Sequence, residues 1–164
     1  MLIAHGLEIG QASIDRATEL AEGAGAELNI GLLKGVNLPY ENDFFDIVVS
    51  WGAVYYFGSR TIVKDAIEEF HRVLRPGGVL LLAAIHPNSS MVRRLSEDLG
   101  DGAHEIERSS PTDTRHGLKI FYDSTSSGWR NLLDCFGSVD EGYVETDLFN
   151  ANRRDARRLF LARK

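Results

Sequence analysis

The chain predicts an α/β fold, a mostly parallel sheet with helices on both faces and an antiparallel strand pair at its C-terminal end. Three observations carry this. "FDIVVSW" and "GVLLLAAI" are short apolar runs, the second without a polar residue, as expected of strands covered on both faces. Between them Ile62, Ala66, Phe70, Val73 and Leu74 recur at helical spacing and form one apolar stripe. Strand, helix and strand in that order make a crossover unit, and such units pair in parallel. Finally, "SVDEGYVETDLF" and "ARRLFLARK" read as strands joined by only a short polar connection, which suits antiparallel pairing.

The remaining elements follow in order. "LIAHGLE" reads as a strand and "SIDRATELAEGAG" as a helix, with Ser13 placed to cap it. Ile14, Ala17 and Ala21 share a face of that helix, and Gly23 or Gly25 can stop it. "AELNIGLL" is a second short strand weakened by its glycine, and "LPYENDF" is a turn-rich connection. The stripe helix ends at "RPGG", where proline cannot continue it. "SSMVRRLSEDLG" is a candidate helix, "DGAHEIERSSPTDTRHG" a polar loop, and "LKIFYD" a strand or extended lead-in. "STSSGWRNLLDCFG" gathers Trp129, Leu132, Leu133 and Phe136 on one helical face.

At 164 residues and 18.2 kDa the chain has the size of a single domain, and 1–164 is read as one. Its formal charge of −6 argues against a nucleic acid or an anionic membrane as partner, since both favour a basic face. Cys135 is the one cysteine, so no internal disulfide is available, and it is expected to be a small buried residue. The longest apolar run is far shorter than the roughly 20 residues of a membrane helix. No signal-peptide pattern opens the chain, and a soluble, cytoplasmic location is expected. No metal site is expected.

Three stretches, in this order and spacing, resemble the class I S-adenosylmethionine-dependent methyltransferases, in particular their small-molecule branch. "GLEIGQASIDRATELA" resembles the end of that family's second strand and its next helix. "NLPYENDFFDIVVSWGAVYYF" is similar to its leucine-proline-aromatic turn, phenylalanine-aspartate pair and fourth strand. "EEFHRVLRPGGVLLLAAI" resembles the helix, proline-glycine-glycine turn and fifth strand. The resemblance covers residues 3–86 well and the C-terminal stretch more loosely. It implies a Rossmann-like fold, S-adenosyl-L-methionine as cofactor, and a small-molecule methyl acceptor.

Carried over by position, Glu8 matches the acid that binds the cofactor's ribose hydroxyls. A carboxylate only accepts hydrogen bonds, and a vicinal diol offers it two donors. Ile9 matches the apolar residue against the adenine. Ser50, Trp51 and Gly52, at the carboxyl end of a strand where open α/β sheets bind ligands, match positions lining the methionine part. Tyr55 and Tyr56 either face the sulfonium or pack the following helix onto the sheet. His86 ends the fifth strand, and imidazole suits general-base work near neutral pH. Methyl transfer from a sulfonium depends mainly on positioning, so no catalytic residue is assigned. Asp46 is read as structural, and His71 is placed on the exposed side of its helix.

Two departures stand out. Lys34 occupies the position of an acid that accepts from the adenine amino group in the family, and an ammonium cannot accept. Backbone groups of Gly35 and Val36 are left to contact the adenine edge. The family's first strand and its glycine-rich turn have no counterpart, so the first strand–helix unit is expected to be missing. Three accounts of the gap are open: the halves close up, another chain completes the sheet, or the native protein is longer, which is favoured. The chain alone is expected to bind the cofactor weakly or not at all. Residues 87–123 are read as a variable insertion on the acceptor side. Two alternatives remain: a catalytically silent methyltransferase-like partner module, and a nicotinamide-dependent Rossmann oxidoreductase.

Overall fold

A computed structural model of the chain describes residues 3–108, 110–147 and 154–164. The chain divides into two compact units, Met1–Pro39 and Tyr40–Lys164. The first holds β1 (His5–Glu8), α1 (Gln11–Gly23) and β2 (Asn29–Leu32), with β1 and β2 parallel from the His5–Asn29 pair to the Glu8–Leu32 pair. The predicted order is found, and the helix stops at Gly23 as expected. Its cap differs. Gly10, extended at φ −117° and ψ 122°, is the N-cap, and its carbonyl accepts from the amides of Ser13 and Ile14. Ser13 therefore lies within the first turn and caps nothing.

The second unit holds β3 (Phe45–Trp51), α2 (Arg60–Val73), β4 (Leu74–Ile85), β5 (Ala103–Glu105), β6 (Lys119–Phe121), α3 (Ser126–Leu132), β7 (Ser138–Asp147) and β8 (Arg154–Arg163). Its main sheet runs β3-β4-β8-β7, with β3 and β4 parallel and both β8 contacts antiparallel. The predicted mixed α/β fold and C-terminal antiparallel pair are both present. Residues 148 and 149 of the predicted strand, and residue 2 of the first, lie outside the described residues.

One face of this sheet is the core. Leu80, Leu82, Phe160 and Ala162 are fully buried, together with Val63, Ala66 and Ile67 of α2 and Trp129 and Leu133 around α3. The Trp129 ring lies 6.1 Å from Phe160 and 5.1 Å from Phe121. Each such large apolar side chain contributes about 1.5–3 kcal/mol by leaving water. Helix α2 starts at Ser59, whose hydroxyl accepts from the Ile62 amide, and carries Arg72 in its last turn, where a cation suits the helix dipole. Lys164 then ties the chain end to this helix end. Its Nζ donates to the carbonyl of Leu74 at 2.6 Å, to that of His71 at 2.9 Å, and to Asp43 at 2.8 Å. The "RPGG" turn is absorbed as a register shift, Phe45 facing Leu74 while Ile47 faces Val79.

Several expectations are corrected. The buried stripe of α2 runs through Val63, Ala66, Ile67 and Val73, and Ile62 points outward at 42% exposure. β3 is not covered on both faces, because Ile47, Val49 and Trp51 are 60%, 59% and 50% exposed. Side chains alternate along a strand, and these three share the face turned away from the core. "SSMVRRLSEDLG" forms only a short 3₁₀ turn at Val92–Arg94, where Arg94 is drawn off to the Glu107 carbonyl and to Asp113. The stretch expected as a polar loop contributes β5, which pairs with β6, and the fully buried Ile106. His71 is half-buried, its ring edge-on to Phe136 at 5.1 Å. Cys135 is half-buried as well, and burial pushes its thiol pKa up. Among the described residues no helix is long and apolar enough to cross a membrane.

Candidate functional site

In the first unit, Glu8 ends β1 and is half-buried. Its Oε1 accepts from the amide of Ile9 at 2.7 Å and from that of Gly10 at 3.3 Å. The turn that feeds α1 thus orients the carboxylate, and Oε2 accepts nothing among the described residues. Ile9 is 72% exposed beside it. After β2, Lys34 is exposed and Val36 half-buried. Gly35 between them has φ +73° and open space where a Cβ would stand, so ligand atoms can approach its backbone.

In the second unit, Ser50, Trp51 and Gly52 sit together at the carboxyl end of β3, but they point differently. Ser50 is 4% exposed, and its buried Oγ has no hydrogen-bond partner among the described residues. Trp51 faces the open side of the sheet. Gly52 turns the chain with φ +70°, a left-handed conformation that favours glycine. The next turn, Val54–Phe57, buries Tyr55 almost completely, with the Tyr56 ring 4.8 Å away. Tyr55 is therefore a packing residue. Burial, reinforced by Tyr56, pushes its phenol up to about 12, and Arg157 pulls the other way through a hydrogen bond.

Sequence periodicity does not point to Arg157. It lies on β8, more than 100 positions from Gly52. A Cβ on Gly52 would collide with its Nη1, so the guanidinium occupies the space the glycine leaves. Asp155 holds it from the other side, its Oδ2 accepting from Nε at 3.3 Å and from Nη2 at 3.1 Å. The only signal in the sequence was the basic run "RRDARR", which periodicity alone did not assign to a site.

His86 follows β4. Its Nδ1 accepts from the Asn88 amide at 3.1 Å, so the neutral ring carries its proton on Nε2. The ring stacks on Tyr143 at 5.6 Å and borders a cleft of about 300 Å³ lined also by Glu141, Gly142 and Arg158. Glu141 accepts from Arg158 at 2.6 Å. Burial would raise its pKa, but the hydrogen bonds from Ser126 and Arg158 outweigh burial and hold the carboxyl below its ordinary value. Asp46, read as structural, pairs with Arg75 at 2.5 Å on the surface.

A family model described as "Methyltransferase domain" matches residues 2–82, the stretch containing every predicted cofactor-binding residue. The chain is 34% identical over 64 residues to "Probable tRNA methyltransferase 9B" of Mus musculus, covering 39% of this chain and 14% of that protein. It is 40% identical over 47 residues to a tRNA (carboxymethyluridine(34)-5-O)-methyltransferase of Arabidopsis thaliana, covering 29% and 12%. The chain thus spans a small part of these relatives' length. Among solved structures, an S-adenosylmethionine-dependent methyltransferase of Methanosarcina mazei matches with a TM-score of 0.76 and 19% identity, over 98% of this chain and 81% of that one.

The relatives overturn one expectation. Nucleic acid was excluded as a partner on the net charge, yet both of these relatives are named as tRNA methyltransferases. Net charge is a sum over the chain and does not describe a local face. Cofactor binding is a family property. The match of residues 2–82 to a methyltransferase domain, on a mixed α/β fold shared with a solved S-adenosylmethionine-dependent methyltransferase, is consistent with the class I S-adenosylmethionine-dependent methyltransferases.

Proposed function

We propose that the chain serves S-adenosylmethionine-dependent methyl transfer, with a nucleoside of RNA as acceptor. The family match over residues 2–82 carries this reading, and the names of the relatives support the acceptor class. The residues suit the cofactor in most respects. Glu8 keeps one carboxylate oxygen free for a ribose hydroxyl, and the exposed Ile9 is available to an adenine face. Gly35 and Val36 offer backbone groups to the adenine edge. The buried, unpartnered Ser50 hydroxyl and the left-handed Gly52 suit the polar methionine part, and Trp51 adds an exposed aromatic face beside them. Lys34 is the misfit, since it has no acceptor for the adenine amino group.

The cofactor supplies a methyl group already activated on a sulfonium, so what the chain must provide is orientation and exclusion of water. Residues 87–123, with the β5–β6 pair, are assigned to acceptor selection. Calorimetric titration with S-adenosylhomocysteine tests the cofactor reading. Weak binding, on the order of 0.1 mM, is expected with Lys34 in place, weakened further in Glu8→Ala. No saturable binding at millimolar ligand refutes it.

A further inference from the structure

Arginine has five N–H bonds arranged as a planar fork, which matches a carboxylate or phosphate. In Arg157 two of them go to Asp155 and a third hydrogen bond joins it to the Tyr55 hydroxyl. Two N–H bonds keep no partner among the described residues. The group is held in place on three sides: by Asp155, by the buried Tyr55, and by the backbone of Gly52, where no side chain intervenes. It stands at the carboxyl end of β3, the side of an open α/β sheet that receives ligands. A held, only partly exposed guanidinium with unused donors is built to receive an anion.

Two further groups near these strand ends bear on which anion. His86 is committed at Nδ1 to the Asn88 amide, so in the neutral ring Nε2 carries the hydrogen and donates. Tyr55 keeps its proton up to about pH 12. An acceptor that must lose a proton on methylation is served by neither. A carboxylate is already ionised at neutral pH and loses no proton in becoming an ester. The Arabidopsis relative's name specifies a carboxymethyl group on its uridine.

Resting on the methyltransferase reading above, we infer that Arg157 is the receptor for a carboxylate on the methyl acceptor. Its guanidinium, laid against Gly52 and held by Tyr55 and Asp155, offers its remaining N–H bonds to one carboxylate oxygen. The acceptor class is then a carboxylate-bearing nucleoside.

Binding of 5-carboxymethyluridine and of uridine to the full chain, followed by NMR titration, tests this without any turnover. The wild type is expected to prefer 5-carboxymethyluridine by about 10- to 100-fold, the range of a hydrogen bond to a charged group. Arg157→Gln should abolish the preference, and Arg157→Lys, which keeps the charge but not the fork, should retain part of it. Circular dichroism of each variant confirms that the fold persists. Equal affinity for the two nucleosides, binding of neither, or a preference retained in Arg157→Gln overturns the assignment. A second arm compares S-adenosylhomocysteine with 5′-methylthioadenosine, which lacks the carboxylate. If Arg157→Gln weakens only the former, the guanidinium serves the cofactor's carboxylate and the acceptor assignment falls. Failure of the wild type to bind either of these two sinks the cofactor reading itself, which separates the two failures.

Discussion

Replacing Gly52 by alanine tests the packing of the strand end most directly. Two separate costs arise. A φ of +70° strains a non-glycine residue by roughly 1–2 kcal/mol. The new Cβ would also stand well inside ordinary contact with Arg157 Nη1, so the guanidinium must move. Moving it gives up the hydrogen bonds to Tyr55 and Asp155. Because Asp155 is 61% exposed, that pair is discounted, and the loss comes to about 1 kcal/mol. Gly52→Ala should therefore destabilise the chain by about 2–3 kcal/mol. In an Arg157→Ala background only the backbone strain remains, and the same substitution should cost about 1–2 kcal/mol. Urea unfolding of the wild type, both single variants and the double variant measures the coupling, expected near 1 kcal/mol. Additivity within about 0.3 kcal/mol would refute the contact between Gly52 and Arg157.

Three further outcomes are expected. Lys34→Asp gives the adenine amino group an acceptor and should tighten S-adenosylhomocysteine binding about tenfold, one hydrogen bond's worth; unchanged calorimetric affinity would count against an adenine near this turn. Burial tends to raise the pKa of Asp123, but hydrogen bonds from Thr125 and Arg60 prevail and depress it. A depressed carboxylate contributes stability above its unfolded pKa near 3.8 and loses it as pH falls through the lower folded value. Denaturant midpoints measured below about pH 4 should thus fall less steeply in Asp123→Asn than in the wild type, and parallel curves would be the contrary result. The two tryptophans differ sharply in exposure, 50% for Trp51 and 1% for Trp129. Acrylamide should quench only part of the fluorescence, and Trp51→Phe should leave a blue-shifted, poorly quenched emission; strong quenching of that variant contradicts the burial of Trp129.

Much of the fold was legible because it is written in period. Helix α2, β4 and the β7–β8 pair each announce themselves by spacing or by unbroken apolar runs, and α3 by Trp129, Leu132 and Leu133. What the pattern does not carry is which side of a strand is covered. "FDIVVSW" reads as buried throughout, but Ile47 and Val49 face outward, because coverage depends on neighbours remote in sequence. The 3₁₀ turn at Val92–Arg94 and the short β5 depend on tertiary bonds of Arg94 and Ser96, which override local propensity. For the site, Glu8, Gly35 and Gly52 were read from position; Glu8 ends β1, and Gly35 and Gly52 both have positive φ. Arg157 was missed because it meets Gly52 only through the sheet register that sets β8 beside β4.

β3 ends its sheet, pairing with β4 along one edge only among the described residues. In a parallel strand the peptide N–H and C=O of one residue point to the same side, and those of the next residue to the opposite side. Deuterium should therefore enter β3 with a period of two. Amides aimed at β4 exchange slowly, and the intervening ones exchange close to the rate of an open chain. That alternation between Phe45 and Trp51 is a clock for the edge: whatever strand comes to lie along it, from any source, would slow every second amide and leave the others as they were.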